Sequence, residues 1–198
     1  MVEDITGKKR EIRERVGSTR SKLPKEEALE KSARIQKLFF GLKEFQDTRT
    51  LLFYVAKGNE VQTERMIKDS LKLGKKVLVP ITDRKSGELT LSELRDFDAE
   101  LEPGTFGILE PKPTCRRLTP PAHVDLVVVP GVAFDPRGCR LGRGKGCYDL
   151  FLKDLSSLKP NVPFIGLAYE FQILESLPHG RNDVKVHKIV TEDRVIKP

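Results

Sequence analysis

Glycines and basic residues alternate along one short stretch of the chain, between residues 130 and 149. Glycine lets the backbone approach a ligand closely and adopt positive φ angles. Consecutive exposed N–H groups, with guanidinium groups around them, bind anions. The stretch therefore predicts a phosphate-binding loop. Its glycines are Gly131, Gly138, Gly142, Gly144 and Gly146, and its basic residues are Arg137, Arg140, Arg143 and Lys145.

The segments on either side of this stretch would aim it at a ligand. Val124–Val129 is an apolar run of the kind found in buried strands, and Tyr148–Leu155 has helical spacing. A strand, a glycine-rich loop and a helix in this order direct the N-terminal N–H groups of the helix at a phosphate.

Two common phosphate motifs do not describe the stretch. A P-loop has Ser or Thr after its Gly-Lys pair, whereas Gly146 follows Lys145. The dinucleotide fingerprint G-x-G-x-x-G differs in spacing from the glycines at 142, 144 and 146. Composition alone also allows a flexible, solvated Arg/Gly loop or one that contacts RNA, although apolar flanks are rare around disordered segments.

Two acidic residues complete the pattern, because Asp149 ends the stretch and Asp183 lies further along the chain. Carboxylates do not bind phosphate directly, but they hold Mg²⁺, which bridges to phosphate oxygens. Phosphoryl transfer needs such a combination, since it depends on positioning and charge neutralisation. Taken singly, Asp149 is equally typical of a helix start and Asp183 of a turn.

The stretch resembles the signature of the 5-formyltetrahydrofolate cyclo-ligase family, also called 5,10-methenyltetrahydrofolate synthetases. Residues 130–149 match every fixed position of that signature except Cys147, where the family usually has an aromatic residue. The resemblance covers nearly the whole chain in the family's order. Its other parts are Lys9-Arg10-x-x-Arg13, Asn59-Glu60-Val61-x-Thr63 and Asn182-Asp183-Val184.

The resemblance implies an ATP- and Mg²⁺-dependent ligase of folate metabolism. It would cyclise 5-formyltetrahydrofolate to 5,10-methenyltetrahydrofolate, with release of ADP and phosphate, through a phosphorylated formyl intermediate. Lys145 and Arg143 are the implied catalytic residues, which would neutralise the transferring phosphoryl group. Asp149 and Asp183 are the implied metal ligands.

The resemblance also implies the residues of two binding sites. The residues expected at ATP are Lys9, Arg10, Arg13, Arg140, Leu141, Gly142, Arg143, Gly144, Lys145, Gly146 and Tyr148. Those expected at the folate are Lys57, Glu60, Arg143, Gly144, Lys145, Gly146, Cys147 and Tyr148. The Glu60 carboxylate would accept N–H bonds from the pterin. Because Cys147 offers less stacking area than an aromatic ring, we expect either weaker folate binding or compensation by a neighbouring ring, in both cases without loss of activity.

Periodicity predicts the elements that position these residues, and an α/β fold. The resemblance specifies a three-layer sandwich with a mainly parallel central sheet flanked by helices, similar to sugar-phosphate isomerases and CoA-transferases. The predicted helices are Asp4–Val16, Pro24–Phe45 and Thr63–Leu73, besides the one after the glycine-rich loop. The predicted strands are Leu51–Val55, Lys76–Ile81, an edge strand in Glu88–Leu94, Val162–Ala168 and one ending at Glu192. Pro103–Pro121 is predicted to be a connecting loop, with Phe106 and Ile108 over the substrate.

Length and composition narrow the class of protein. The 198 residues suit one domain over residues 1–198, and no apolar run reaches the ~20 residues of a membrane span. The first ten residues lack the apolar core of a secretory signal, and the three cysteines have no metal or redox spacing. We therefore expect a cytoplasmic monomer that binds small molecules and no membrane.

The net charge of +7 fits polyanionic ligands such as ATP and folate, but it also fits nucleic acid. With no Trp and three Tyr, the chain offers few stacking platforms, so we expect no nucleic-acid partner. A phosphate-ligand enzyme of the same fold that does not use ATP is the remaining alternative. It would leave Lys9, Arg13 and Asp183 unexplained.

Overall fold

Short runs rich in Val, Leu and Ile form the strands of a central sheet. The structure is a computed structural model, which describes residues 5–83 and 85–198, and of residue 106 the backbone only. The strands are β1 (Thr50–Leu52), β2 (Lys76–Thr82), β3 (Leu89–Leu94), β4 (Leu101–Pro103), β5 (Leu109–Pro111), β6 (Leu126–Val129), β7 (Ala133–Phe134), β8 (Arg140–Leu141), β9 (Phe164–Leu167), β10 (Lys188–Val190) and β11 (Val195–Ile196). The helices are α1 (Ile5–Ser21), α2 (Lys25–Phe40), α3 (Lys43–Asp47), α4 (Glu64–Lys72), α5 (Phe97–Glu100) and α6 (Cys147–Leu158).

The central sheet has seven strands in the order β11-β10-β9-β6-β1-β2-β3. Its five inner strands are parallel, while β3 and β11 pair antiparallel at the two edges. The predicted mainly parallel sheet and the predicted edge strand are therefore confirmed. Two small antiparallel pairs, β4–β5 and β7–β8, lie outside this sheet.

Alternate residues of the inner strands enter two separate apolar layers. On one face of the sheet, Leu51 and the residues that point the same way on the other inner strands pack against α2 and α4, for example against Ile35 and Met66. On the other face, Leu52 and the residues that point the same way as Leu52 pack against α6, for example against Leu152. Because strand side chains alternate between the faces of a sheet, each inner strand is apolar throughout. The result is the three-layer arrangement that was predicted.

Several boundaries differ from the prediction for local reasons. The helix predicted for Pro24–Phe45 is divided into α2 and α3, because Leu42 has an extended backbone with ψ of 138°. This break sets the Phe45 ring edge-on against Phe39, with ring centroids 5.1 Å apart. Helix α1 continues beyond Val16 to Ser21, and Asp4 lies outside the described residues. The strand predicted for Leu51–Val55 pairs in the sheet only over Thr50–Leu52, after which the chain turns towards Glu60.

The proline-rich segment is more ordered than the predicted connecting loop. Its residues Leu109–Pro111 form β5, which pairs with β4 in a register of Leu101 with Pro111 and Pro103 with Leu109. The prolines thus occupy strand ends, where a missing N–H is tolerated. The prediction of a loop over Pro103–Pro121 is therefore wrong in part.

None of the helices in the described ranges is both long and apolar enough to cross a membrane.

Candidate active site

A cavity of about 510 Å³ lies at the carboxyl ends of three neighbouring parallel strands. Tyr54 and Val55 follow β1, Pro80 and Thr82 end β2, and Pro130 follows β6. Open α/β sheets place their ligands at this edge. The volume falls within the range of small-molecule sites, about 300–1,000 Å³.

The glycine-rich loop between β8 and α6 forms one wall of this cavity. Gly144 has a φ of 103° and Gly146 a φ of 71°, a left-handed conformation that favours glycine. Gly146 directly precedes the first turn of α6. Arg13 Nε of α1 donates to the carbonyl of Gly142 at 2.8 Å, so the first helix packs against the loop. The basic N-terminal helix therefore lies against the glycine-rich loop, as an ATP site that contains residues of both requires.

Asp149 and Asp183 lie side by side in the cavity wall. Asp149 Oδ1 accepts from Arg140 Nη2 at 2.7 Å and from the backbone N–H of Val184, the residue after Asp183. Asp183 Oδ2 accepts from Lys9 Nζ and from the backbone N–H of Gly180 at 2.7 Å. Burial opposes ionisation of Asp183, but these two hydrogen bonds outweigh it and lower the pKa of the carboxyl group.

A protein-only metal cage would need more ligands than these two carboxylates. In the described parts of the chain, no three or more His, Cys, Asp or Glu side chains are grouped to hold a metal ion. Mg²⁺ is commonly held by one or two carboxylates together with substrate phosphates and water. The donor set of Asp149 and Asp183 fits that kind of site.

Glu60 lies opposite the carboxylate pair and is 8% exposed. Its Oε1 accepts from Arg143 Nη2 at 2.7 Å and from Arg143 Nε at 3.2 Å. Its Oε2 accepts from the backbone N–H of Lys57 at 2.9 Å. The Arg143 side chain, which is 44% exposed, therefore bridges the glycine-rich loop and the loop after β1.

Two buried polar atoms at the cavity have no hydrogen-bond partner among the described residues. They are the Tyr148 hydroxyl and Arg140 Nε. Burial raises the pKa of Tyr148, so its hydroxyl stays protonated and is available as a donor. Since buried polar groups in proteins are nearly always bonded, both atoms point to a ligand that supplies the missing partners.

The structure places most of the predicted site residues together, but two of them lie away from the cavity wall. The cavity lining includes neither Arg10 nor Lys57, both of which have exposed side chains. Lys57 reaches the site through its backbone N–H to Glu60. Ile108 lines the cavity as expected, whereas the Phe106 side chain lies outside the described residues. The predicted residues in the lining are Lys9, Arg13, Glu60, Arg140, Leu141, Gly142, Arg143, Gly144, Lys145, Gly146, Cys147, Tyr148, Asp149 and Asp183.

Sequence reasoning missed two charged residues beside this site. Arg20, near the end of α1, places Nη1 3.9 Å from Glu60 Oε1. Its signal was present, because Lys9, Arg13 and Arg20 lie on one helical face at spacings of four and seven. Glu110 is 6% exposed, lines the cavity and accepts from the Thr82 N–H at 3.2 Å. Its position among prolines gave no periodic signal.

Comparison with known proteins gives consistent matches. Residues 5–192 match the 5-formyltetrahydrofolate cyclo-ligase family. A Caenorhabditis elegans protein named probable 5-formyltetrahydrofolate cyclo-ligase is 32% identical over 194 residues, which cover 95% of this chain and 94% of that protein. The solved structure of Aquifex aeolicus 5,10-methenyltetrahydrofolate synthetase is 34% identical, with a TM-score of 0.82, and covers 96% of this chain and 92% of its own. A Mycoplasma pneumoniae 5,10-methenyltetrahydrofolate synthetase, at 22% identity and a TM-score of 0.73, has the same fold over 93% of this chain and 98% of its own.

Proposed function

Because the chain belongs to the 5-formyltetrahydrofolate cyclo-ligase family, we propose that it uses ATP and Mg²⁺ to cyclise 5-formyltetrahydrofolate to 5,10-methenyltetrahydrofolate. ADP and phosphate are the other products. One observation carries this proposal: Glu60, the glycine-rich loop and the Asp149–Asp183 pair come from distant parts of the chain and line one cavity. A folate, nucleotide phosphates and a metal ion each find matching groups there.

The chemistry explains why a phosphate donor is needed. The formyl oxygen on N5 attacks the γ-phosphate of ATP, which forms an O–P bond and releases ADP. N10 then attacks the activated formyl carbon and the ring closes, while the former formyl oxygen leaves on phosphate, which takes up the N10 proton. Loss of a bare oxide from the formyl group would be far slower. No nucleophilic side chain takes part, so the protein's task is to hold N10, the formyl carbon and the γ-phosphate together.

The cations of the site neutralise the phosphates in this proposal. Arg143 and Lys145 act on the transferring group, and Lys9 and Arg13 act on the other phosphates. Lys9 bonds to Asp183 and Arg143 to Glu60 in the structure, and in this proposal both side chains exchange these carboxylates for phosphate oxygens when substrates bind. The Arg140 side chain is 2% exposed and bonds to Asp149. We therefore assign Arg140 chiefly to orienting Asp149.

Asp149 and Asp183 would hold Mg²⁺. Asp149 Oδ1 accepts from Arg140 and Val184, and Asp183 Oδ2 accepts from Lys9 and Gly180, so these bonds use one oxygen of each carboxylate. Bound Mg²⁺ would neutralise charge on the phosphate oxygens. The chain's own contribution is to keep the two carboxylates fixed beside the glycine-rich loop.

Glu60, Tyr148 and Cys147 form the folate side of the proposal. The Glu60 carboxylate accepts N–H bonds from the pterin, and the Tyr148 hydroxyl donates one bond to the substrate. Cys147 in place of an aromatic residue reduces stacking by about 0.5–1.5 kcal/mol. ATP and the folate are the proposed small-molecule partners. That the protein is a cytoplasmic monomer stays a prediction.

The direct test is the near-ultraviolet absorbance of the purified protein with 5-formyltetrahydrofolate. Methenyl-type absorbance is expected to grow only when ATP and Mg²⁺ are both present. Product formation without ATP would contradict the phosphorylated intermediate. Product formation after removal of all divalent cations with a chelator would contradict the metal assignment.

Matched variants assign the roles. Lys145→Ala is expected to lower kcat by about 10²–10³-fold, because a charge that stabilises the transferring group is lost. Asp149→Asn and Asp183→Asn are expected to raise the Mg²⁺ concentration needed for half-maximal rate. Lys153→Ala, an exposed lysine of α6 outside the cavity, serves as the control and keeps the wild-type rate. An unchanged Mg²⁺ requirement in both Asp variants would exclude these two residues as the metal ligands.

A further inference from the structure

Arg20 lies deep beside the site in a position that the proposed reaction does not yet use. Its side chain is 16% exposed, and Nη1 lies 3.9 Å from Glu60 Oε1. Nη1 is buried and makes no hydrogen bond within the described residues. A buried guanidinium nitrogen without a partner is unfavourable in a folded protein, so its position needs an explanation.

Two arginines face the same Glu60 oxygen from different elements. Arg143 comes from the glycine-rich loop, is 44% exposed, and makes the short bonds of 2.7 and 3.2 Å. Arg20 comes from α1, is more deeply buried, and is the more distant of the two. In the proposed function the Arg143 guanidinium exchanges its bonds to Glu60 for bonds to the transferring phosphate. When Arg143 moves to the phosphate, the remaining partners of Glu60 include Arg20 and the Lys57 N–H.

The end of α1 is fixed to the loop that holds Glu60. Asn59 Nδ2 donates to the carbonyl of Arg20 at 3.2 Å and to the carbonyl of Leu23 at 2.8 Å. The Tyr169 hydroxyl donates to the carbonyl of Glu60 at 3.0 Å from the opposite side. These bonds link the backbone at Arg20 and at Glu60 to their neighbours, whereas the Arg143 side chain is the more exposed of the two arginines.

We propose that Arg20 is a positioning residue that keeps the Glu60 carboxylate oriented towards the folate once Arg143 has moved to ATP. The inference rests on the proposed function, in which Glu60 contacts the pterin and Arg143 contacts phosphate. It predicts that Arg20 matters more when a nucleotide is bound. A residue that only stabilises α1 would instead matter less with nucleotide bound, because ATP itself is expected to order that helix.

The test measures the affinity of full-length protein for 5-formyltetrahydrofolate by calorimetry, with and without a non-hydrolysable ATP analogue. Arg20→Gln is expected to weaken folate binding about tenfold with the analogue and about threefold without it. Arg20→Lys restores part of the affinity, because the positive charge returns. Arg15→Gln, an exposed residue of the same helix, is the control and changes neither value.

A double-mutant cycle separates positioning from stability. In a Glu60→Gln background, Arg20→Gln is expected to have no further effect on folate affinity. The role of Arg20 would be overturned if Arg20→Gln lowered folate affinity equally with and without the analogue. It would also be overturned if the effects of Arg20→Gln and Glu60→Gln on folate affinity were fully additive. Wild-type protein that binds folate but forms no methenyl product would instead overturn the proposed reaction and leave this test intact. Wild-type protein that binds no folate would overturn both.

Discussion

At the scale of single residues, the site contains polar atoms that the ligand-free protein leaves unpaired. The Tyr148 hydroxyl is buried and has no partner among the described residues, whereas the Tyr54 hydroxyl donates to the carbonyl of Val61 at 3.0 Å. Both tyrosines line the same cavity. An unpaired hydroxyl does not stabilise the fold, so we infer that the Tyr148 hydroxyl serves to bind a ligand.

Tyr148→Phe therefore separates stability from binding. We expect the free energy of unfolding to stay unchanged or rise by up to about 1 kcal/mol, because no hydrogen bond is lost. The KM for 5-formyltetrahydrofolate is expected to rise about three- to tenfold, since the bound folate loses the hydrogen bond that Tyr148 donates to it. Urea unfolding and initial rates measure the two effects. Tyr54→Phe, which does lose a hydrogen bond, is the control and is expected to cost about 1 kcal/mol of stability. The same changes in stability and KM in both variants would contradict a binding role for the Tyr148 hydroxyl.

Asp135 lies in the glycine-rich and basic stretch of residues 130–149, but its own role is structural. It is fully buried, and its carboxylate accepts from the backbone N–H groups of Arg137, Cys139 and Leu177 and from the Arg137 side chain. Burial alone would raise the pKa of this carboxyl, but the hydrogen bonds outweigh it and lower the pKa. The ionised form therefore holds β7, β8 and the segment at Leu177 together.

Asp135→Asn is expected to destabilise the protein by about 2–3 kcal/mol at pH 7, because an amide nitrogen would face N–H donors. A depressed pKa gives stability that is present above the unfolded value of about 3.9 and is lost as the pH falls through the lower folded value. The difference from wild type should therefore shrink below about pH 4. Urea unfolding at several pH values measures it, with Asp154→Asn on the exposed face of α6 as control. A difference that does not change with pH would contradict the charge-based explanation.

At the scale of elements, close backbone contacts fix where the loops of the site lie. Gly138, in the turn between β7 and β8, has a φ of 79°. A Cβ atom there would lie 2.4 Å from the carbonyl oxygen of Val186. The Val186 N–H also donates to the carbonyl of Gly138 at 2.9 Å. This contact positions the segment that contains Asp183.

Gly138→Ala is expected to cost at least about 2–3 kcal/mol, since it combines an unfavourable φ with a backbone clash. Thermal unfolding measures the loss, and the Mg²⁺ requirement should rise with it because Asp183 is displaced. Gly17→Ala in α1 is the matched control. No atom lies within 4 Å of its added Cβ, so it is expected to stabilise the helix by about 1 kcal/mol. Equal effects at the two glycines would show that local backbone geometry does not decide the outcome.

Local patterns were sufficient to predict the centre of the fold but not all of its connections. The apolar run before Pro130 predicted β6, and the edge strand and the helix after the glycine-rich loop followed from periodicity. The break at Leu42 was missed although Gly41, the C-cap residue of α2, is a common signal for the end of a helix. The β4–β5 pair was missed since proline argues against strands except at their ends.

The same division applies to the site. The glycine-rich loop and its neighbouring acids were predicted from types and spacing within one segment. The partners of those acids were not, because Lys9 reaches Asp183 across most of the chain and Arg20 reaches Glu60 from another element. Such contacts depend on how the sheet brings loop ends together, which no local pattern contains.

At the scale of the whole molecule, α1 joins separate parts of the site while contributing little to the core. Of its residues, all of which the structure describes, only Val16 is buried. Its polar contacts run from Asp183 through Gly142 to Glu60 by way of Lys9, Arg13 and Arg20. A helix held mainly by polar contacts opens locally at low cost.

Hydrogen exchange should therefore report ligand binding at α1. In the ligand-free protein we expect its amides to exchange at least about tenfold faster than those of α2, which buries four residues. ATP with Mg²⁺ is expected to slow exchange in α1 selectively, because phosphates give Lys9 and Arg13 new partners and stabilise the closed form. Mass spectrometry of peptides from both helices measures this, and Lys145→Ala, which weakens nucleotide binding, should reduce the protection. Two results would contradict this prediction: slow exchange of the α1 amides without ligand, or equal protection of α1 and α2 by ATP. Either result would show that α1 is a fixed part of the fold and is not ordered by the nucleotide.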